Sequence, residues 1–316
     1  MQAITLDTLA LCIPAYNAEK YLPRLLNSAK EQPISFNEIW VYNDCSTDDT
    51  ATIAQKYGVQ VIQGDVNRGC ASGKNRLAEV TTCDWIHFHD ADDDVLPNFT
   101  TEVHHWIKHK GNKFEVLLLN FDYTDAHTGK LLGRPNHDSE QLHADPLRYA
   151  INNKIVNFGV YKREAFLKAG GFDLDKEVLY NEDNAFHQRL AKHNYRFDYL
   201  PRVTCINYRY SESMSASNVL KCARANYHVL SKTASTHGQK YPLELARQLW
   251  LCIATLASCQ DWEYVHKAID LSKRLGYPYS PEGSTGFKLL TRINPFFGAW
   301  AREKMIRLLK PYLRHG

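Results

Sequence analysis

Several features are missing from this sequence, and each absence narrows the field. No apolar run approaches the roughly 20 residues that a membrane-spanning helix needs; the longest, LWLCIATLASC at 249–259, covers about half of that. No G-x-G-x-x-G follows the first strand-like run, which argues against a dinucleotide-dependent oxidoreductase. The phosphate-cradling Gly-Lys-Ser/Thr loop of nucleotide hydrolases is also missing, since Gly73-Lys74-Asn75 lacks the metal-binding hydroxyl. Charge of neither sign dominates. Lys plus Arg number 38 and Asp plus Glu 35, a net +3, so overall charge gives no reason to propose nucleic acid as a partner. The eight cysteines show no C-x-x-C pair or metal-finger spacing and read as reduced thiols rather than a disulfide framework. The opening MQAITLDTLALCIPAYN has neither a basic start nor a long apolar stretch. A cytoplasmic location is therefore expected, extending to the cytoplasmic face of the membrane if lipid is involved.

At 316 residues, with 44% hydrophobic and 23% charged side chains, the chain has the make-up of a globular protein able to bury a sizeable core. TLALCIP, EIWVYN, VQVIQG and DWIHFHD read as four strands. Between them AEKYLPRLLNSAKE, STDDTATIAQKYG and ASGKNRLAEVTT carry apolar residues at intervals of three and four, with Gly58 just past the end of the second helix. This alternation predicts an α/β fold, a mostly parallel sheet flanked by helices. Further on, TDAHTGK reads as a hairpin tip, 133–155 as a loop region with a short helix, and VTCINYRY as a last strand. Helices are then expected at 217–236, 241–259, 261–275 and 298–313. The chain is thus expected to divide into a domain of residues 1–215 and a helical C-terminal region, 216–316.

The chemistry gathers in DWIHFHDADDD, residues 84–94, where Asp90, Asp92, Asp93 and Asp94 directly follow a strand. In an open parallel sheet, ligands bind beyond the carboxyl ends of the strands. Asp90 and Asp92, one residue apart, can approach a divalent cation and the sugar end of a nucleotide together, and magnesium and manganese favour oxygen ligands of this kind. The plainer reading is an acidic surface turn in which Asp93 or Asp94 caps the next helix. The first strand leads into PAYNAEKYL and the second into NDCSTDDT, which delivers polar groups to the same edge. Singly, Asn43 and Asp44 suit a turn and Asp48 suits a helix start. His87 and His89 alternate on the strand and would share one face, where burial with hydrogen bonds explains them as well as a site role does.

In order and spacing these elements resemble the family 2 glycosyltransferases, nucleotide-sugar-dependent enzymes of the GT-A fold. The family's P-x-Y-N is Pro14-Ala15-Tyr16-Asn17, with Glu19 after it. Its D-D-G-S-T-D segment appears as Asn43-Asp44-Cys45-Ser46-Thr47-Asp48, and its N-x-G-x-x-x-A-R-N stretch as Asn67-Arg68-Gly69-Cys70-Ala71-Ser72-Gly73-Lys74-Asn75. D-x-D is Asp90-Ala91-Asp92, while G-G-F-D and E-D are Gly170-Gly171-Phe172-Asp173 and Glu182-Asp183.

The resemblance implies a GT-A type sheet and transfer of a sugar from a nucleotide diphosphate donor, a UDP-sugar in first place. The acceptor would be a hydroxyl of a glycan or lipid-linked molecule, as in polysaccharide, capsule or lipopolysaccharide synthesis, with inversion at the anomeric carbon. It implies a divalent cation, Mn2+ or Mg2+, held by Asp92, with Asp90 at the ribose and Ala91 among the donor-binding residues. Asp44 would accept from the uracil imide, the Pro14–Asn17 turn would hold base and ribose, and Glu19, Asn67 and Gly69 would stand beside the donor. Lys74, in place of the usual Arg, would meet the nucleotide as a point charge. Asp183 would be the general base, with Glu182 and Arg209 on the acceptor side. One departure stands out. Tyr208-Arg209-Tyr210-Ser211-Glu212-Ser213-Met214-Ser215 lacks the His of the family's Y-R-x-H-x-x-S-x-S segment, which leaves the third cation ligand unassigned. Two alternatives remain: a sugar-nucleotide-binding protein without catalysis, and an Asp-dependent phosphotransferase, a class that places its Asp pair after the first strand.

The final segment, 294–316, sets Phe297, Trp300, Ala301, Met305, Leu308, Leu309, Tyr312 and Leu313 at helical spacing. Its polar side carries Arg302, Lys304, Arg307, Lys310 and Arg314 against Glu303 alone. Such a helix suits peripheral contact with an anionic membrane, docking on the catalytic domain, or a homo-oligomer interface.

Overall fold

The computed structural model describes residues 7–156, 158–210 and 218–313. The chain divides into two compact units. The first takes the residues up to Pro146 with Ile155–Leu174 and Arg189–Tyr210; the second takes Leu147–Lys154, Asp175–Gln188 and the helices from Val219 on.

The first unit is built on a sheet. β1 (Leu9–Ala15), β2 (Glu38–Asn43), β3 (Gln60–Gln63) and β4 (Trp85–Phe88) lie in the order β3-β2-β1-β4 and are all parallel. Every residue of β1 is buried, as expected for a central strand covered on both faces. Beyond β4 the sheet turns mixed, with β5 (Asp94–Val95), β6 (Val116–Asp125), β7 (Leu131–Gly133), β8 (Gly159–Lys162) and β9 (Phe197–Arg209). β8 runs antiparallel to β4 and β6, β9 parallel to β6, and β5 antiparallel to β9. The expected hairpin tip joins β6 to β7.

The helix Leu22–Lys30 buries Leu22, Leu25, Leu26 and Ala29, the three-and-four spacing of an inward stripe. They join the core around Leu9, Leu11, Ile13, Phe99 and Val103. Helix Cys70–Val80 lies against β1 and β2 so tightly that a Cβ on Gly73 would come within 2.8 Å of Tyr42 Cδ1.

In the second unit, helices Val219–His237, Pro242–Ser258 and Trp262–Arg274 match the expected spans to within a few residues. A further helix, Thr285–Ile293, is capped by Ser284, whose side chain accepts from the Phe287 N–H. The last helix, Pro295–Leu309, buries Gly298, Ala299 and Glu303. The polar role expected for Glu303 is thereby corrected: it is 1% exposed and holds Arg307 at 2.9 Å. No helix among the described residues is long and apolar enough to cross a membrane.

Candidate active site

Because β1, β2 and β4 are parallel, their carboxyl ends open on one edge, and backbone bonds tie these ends together. The Asp44 N–H donates to the Ala15 carbonyl at 2.8 Å, and the His89 N–H to that of Cys12 at 3.1 Å. The turn after β1 is laced to the segment after β2. Asn17 sits at φ +48°, a conformation that Asn tolerates better than most residues. Its N–H donates to Ser46 Oγ and its Oδ1 accepts from the Thr47 N–H, each at 2.9 Å. The Glu19 N–H donates to Asp48 at 3.0 Å, and the Glu19 carboxylate accepts from the Asp49 N–H at the same distance. Asp48 also accepts from the Thr50 N–H at 3.0 Å, the helix-start role its position suggested. With the backbone fixed, Tyr16 leaves half its surface, 52%, in solvent.

Asp44 is buried, and both its oxygens are engaged. They accept from the backbone N–H groups of Arg68 at 2.9 Å and Gly69 at 2.8 Å. The carboxylate thus holds the Asn67–Gly69 loop where helix Cys70–Val80 begins. Gly69 has φ +87°, a backbone that side chains rarely adopt. Lys74, one turn into that helix, is 2% exposed and reaches Asp90 Oδ1 at 3.1 Å. Its ammonium also lies 5.3 Å from the centre of the Phe172 ring. The positive charge expected to meet the nucleotide therefore meets Asp90, and sits beneath the acidic turn as a fixed counter-charge.

The four aspartates divide their work. Asp93 is buried, with its oxygens accepting from the Tyr208 N–H at 2.9 Å and from Asn207 Nδ2 at 2.7 Å. Burial, then the charges of Asp92 and Asp90, push its carboxyl well above the ordinary range despite those bonds. Asp94 accepts from Arg24 Nε at 2.8 Å and from the Tyr208 hydroxyl at 3.1 Å. Arg24 donates a second bond to the Asp92 carbonyl at 2.7 Å and stacks 4.1 Å from the Tyr208 ring centre. Asp93 and Asp94 are thus structural, clamping the turn to β9 and to helix Leu22–Lys30, whereas the side chains of Asp90 and Asp92 take no part in those bonds. Burial and the neighbouring Asp90 raise the Asp92 carboxyl above its usual range. Two carboxylates one residue apart, with Asp92 disfavoured as an anion by burial and by the charge of Asp90, fit a hard divalent cation.

Two other groups are explained without a ligand. Gly171, at φ +64°, would place a Cβ 2.4 Å from Asn75 Oδ1. Asn75 holds the same turn through both its side-chain atoms, accepting from the Phe172 N–H at 2.8 Å and donating to its carbonyl at 3.0 Å. Among the described residues, the three side chains that bring metal-ligating atoms within 4.8 Å of one another are His87, His89 and Cys205. All three are fully buried. His87 Nδ1 pairs with the Gly159 carbonyl at 2.8 Å, and its Nε2 with His89 Nδ1 at 2.9 Å. Burial lowers both imidazoles, that of His87 to about 4, as suits a neutral hydrogen-bonded pair inside a core.

Glu182 and Asp183 open the helix Glu182–Lys192 in the second unit, where the Asp183 carbonyl accepts from His187 Nδ1 at 2.7 Å. Arg209, near the end of β9, stacks 4.3 Å from the Tyr123 ring centre. Residues 211–215, where relatives carry the missing His, lie outside the described residues. Sequence reasoning passed over Arg24 and Asn207, and it matched Asn75 to the N-x-G-x-x-x-A-R-N stretch without giving it a role. For Arg24 there was one signal, a cation on the helix next to the inward stripe; Asn207 shows nothing locally.

Fold and strand-end site together define a GT-A type α/β protein. The sequence profile of Glycosyl transferase family 2 matches residues 10–170, just over half the chain, and the chain belongs to that family. An uncharacterized glycosyltransferase of Haemophilus influenzae is 29% identical over 182 residues, covering 55% of this chain and 60% of that protein. The chain spans between half and three fifths of the curated relatives it matches over such lengths. The crystal structure of Staphylococcus aureus TarS 1–349 in complex with UDP-GlcNAc superposes with a TM-score of 0.63 at 18% identity, covering 95% of this chain and 92% of that one. A mannosyltransferase of Pyrobaculum calidifontis in complex with GDP-Man and Mn2+ gives 0.59 at 15% identity, covering 97% and 82%.

Proposed function

We propose that this chain transfers a sugar from a nucleotide diphosphate donor, a UDP-sugar, to a hydroxyl of a glycan or lipid-linked acceptor. The observation that carries the reading is the pairing of Asp90 and Asp92 at the carboxyl end of β4, with Lys74 at 3.1 Å from Asp90 and Asp93 and Asp94 tied down elsewhere. TarS, by its name a poly(ribitol-phosphate) beta-N-acetylglucosaminyltransferase and seen with UDP-GlcNAc, supports the choice of donor class. Asp92 with Asp90 would hold Mn2+ or Mg2+. A cation held there would supply positive charge to offset the negative charge that builds on the leaving diphosphate.

The chain's own groups do the rest. The bonded turn Pro14–Glu19 presents Tyr16 to base and ribose, and Asp44 keeps the Asn67–Gly69 loop in place beside them. In the transfer, the bond from the anomeric carbon to the diphosphate oxygen breaks while the acceptor oxygen bonds to the opposite face, inverting the centre. The acceptor's proton passes to the Asp183 carboxylate. General-base catalysis contributes about 10² to 10⁴ in rate, so Asp183→Asn is expected to retain donor binding and lose transfer on that scale; near-normal turnover would remove Asp183 from the reaction. Thermal unfolding with a panel of nucleotide sugars, each with and without Mn2+, tests the whole reading. The expected result is stabilisation by a uridine-type diphosphate that needs the metal, and no shift with any of them would sink it. Contact of 294–316 with an anionic membrane belongs to the same reading, and equal liposome binding by full-length and 1–293 chains would dispose of it.

A further inference from the structure

The second unit holds a groove lined by none of the residues assigned above to the donor, the cation or the proton. Its volume is about 910 Å³, and helices Pro242–Ser258, Thr285–Ile293 and Pro295–Leu309 line it with the 280–284 turn. Small-molecule sites run from roughly 300 to 1,000 Å³, so this one lies near the top of the range. Trp250, Leu289, Leu290, Met305, Ile306 and Leu309 form its apolar wall. Glu282 is the one carboxylate among the described lining residues, and Arg247 holds it at 2.8 Å. Arg302 and Lys310 also line the groove, and neither forms an ion pair among the described residues. On the same two C-terminal helices Ile293 is 74% exposed and Leu308 79%.

An apolar surface of this kind marks an interaction site, and the charges indicate what it takes. Arg292, Arg302, Lys304 and Lys310 are all exposed, whereas Glu303, the one acid of these helices, is buried. A second copy of the chain seated face to face would set cations against cations, because a two-fold interface uses the same patch twice. A long hydrocarbon chain ending in an anion satisfies both the wall and the rim.

We infer that this groove binds a single long-chain amphiphile with a phosphate-type head, the tail along Trp250, Met305 and Leu309 and the head at Arg302 and Lys310. Such a site needs no bilayer, and it stands whether or not the chain transfers a sugar. The test titrates dodecyl phosphate, below its micelle-forming concentration, into the full chain, read by tryptophan fluorescence and calorimetry. Saturable binding of one molecule per chain is expected, at least about tenfold tighter than dodecanol, with no response to inorganic phosphate. Leu309→Glu and Arg302→Glu, both at exposed positions, are each expected to weaken it about tenfold and to leave the melting temperature and donor hydrolysis unchanged. No saturable binding, equal affinity for dodecanol, or indifference to both variants would overturn the assignment. So would self-association abolished by Leu309→Glu without any binding of dodecyl phosphate, which would give the face to a second copy.

Discussion

Arg24 belongs to no motif, yet it joins three parts of the site: it bonds Asp94, bonds the Asp92 carbonyl and stacks on Tyr208. Hydrogen bonds to charged groups contribute about 1.5 to 3 kcal/mol. Arg24→Gln is therefore expected to weaken metal-dependent binding of UDP by about tenfold or more, measured by calorimetry with Mn2+; unchanged affinity would reduce Arg24 to surface packing. Gly171 is constrained twice, by φ +64° and by Asn75 Oδ1 at 2.4 Å from where a Cβ would stand. Gly171→Ala should cost about 2 to 4 kcal/mol in urea denaturation, since the Asn75 clamp cannot close around the added carbon.

At the scale of elements, Glu38 opens β2 and fastens it to the end of helix Cys70–Val80. Its carboxylate accepts from Trp40 Nε1 and Thr81 Oγ1, each at 2.6 Å, and from the Thr82 N–H at 3.1 Å. Burial alone would raise this group, but the bonds from Thr81, Thr82 and Trp40 bring it to about 2. A carboxyl lowered by folding contributes stability that is present above the unfolded value of about 4.3 and lost as pH falls toward the folded one. Glu38→Gln should therefore flatten the decline in stability between about pH 4 and pH 2, by about 1 kcal/mol once its exposure is allowed for; a decline as steep as the wild type's would count against the anchor. The parallel half of the sheet was legible in the sequence because β1 to β4 are apolar runs separated by helices with clear three-and-four spacing. The mixed half was not. β5 has two residues and β7 three, too few to show a period. Asp90 and Asp92 could be picked out by their place after a strand. The structural work of Asp93 could not, because its partners Asn207 and Tyr208 lie 114 and 115 residues further along. Glu303 misled for a related reason: polarity alone could not reveal that it is buried beneath its pair with the half-buried Arg307.

Over the whole molecule the chain leaves the first unit twice, at 147–154 and 175–188, to supply parts of the second. Gln188, 1% exposed, accepts at Oε1 from the Thr233 hydroxyl at 2.6 Å; Arg148 pairs with Glu244 at 3.2 Å. A chain ending at 215 would strip these segments of their partners and expose Leu147, Ile151 and Val178, all buried in the intact protein. It is expected to melt several degrees lower and less cooperatively than the full chain, and an unchanged melting curve would mean that the inserted segments need nothing beyond 215. The long reach from Asp93 to β9 also matters before the protein is finished. On the ribosome, the acidic turn emerges more than a hundred residues ahead of Asn207 and Tyr208, at a synthesis rate of about 5 to 20 residues per second. For those seconds Arg24 and Lys74, already made, can engage Asp94 and Asp90, but Asp93 has no clamp, so the centre that would handle the donor is completed late, once the ninth strand has threaded in between its two neighbours.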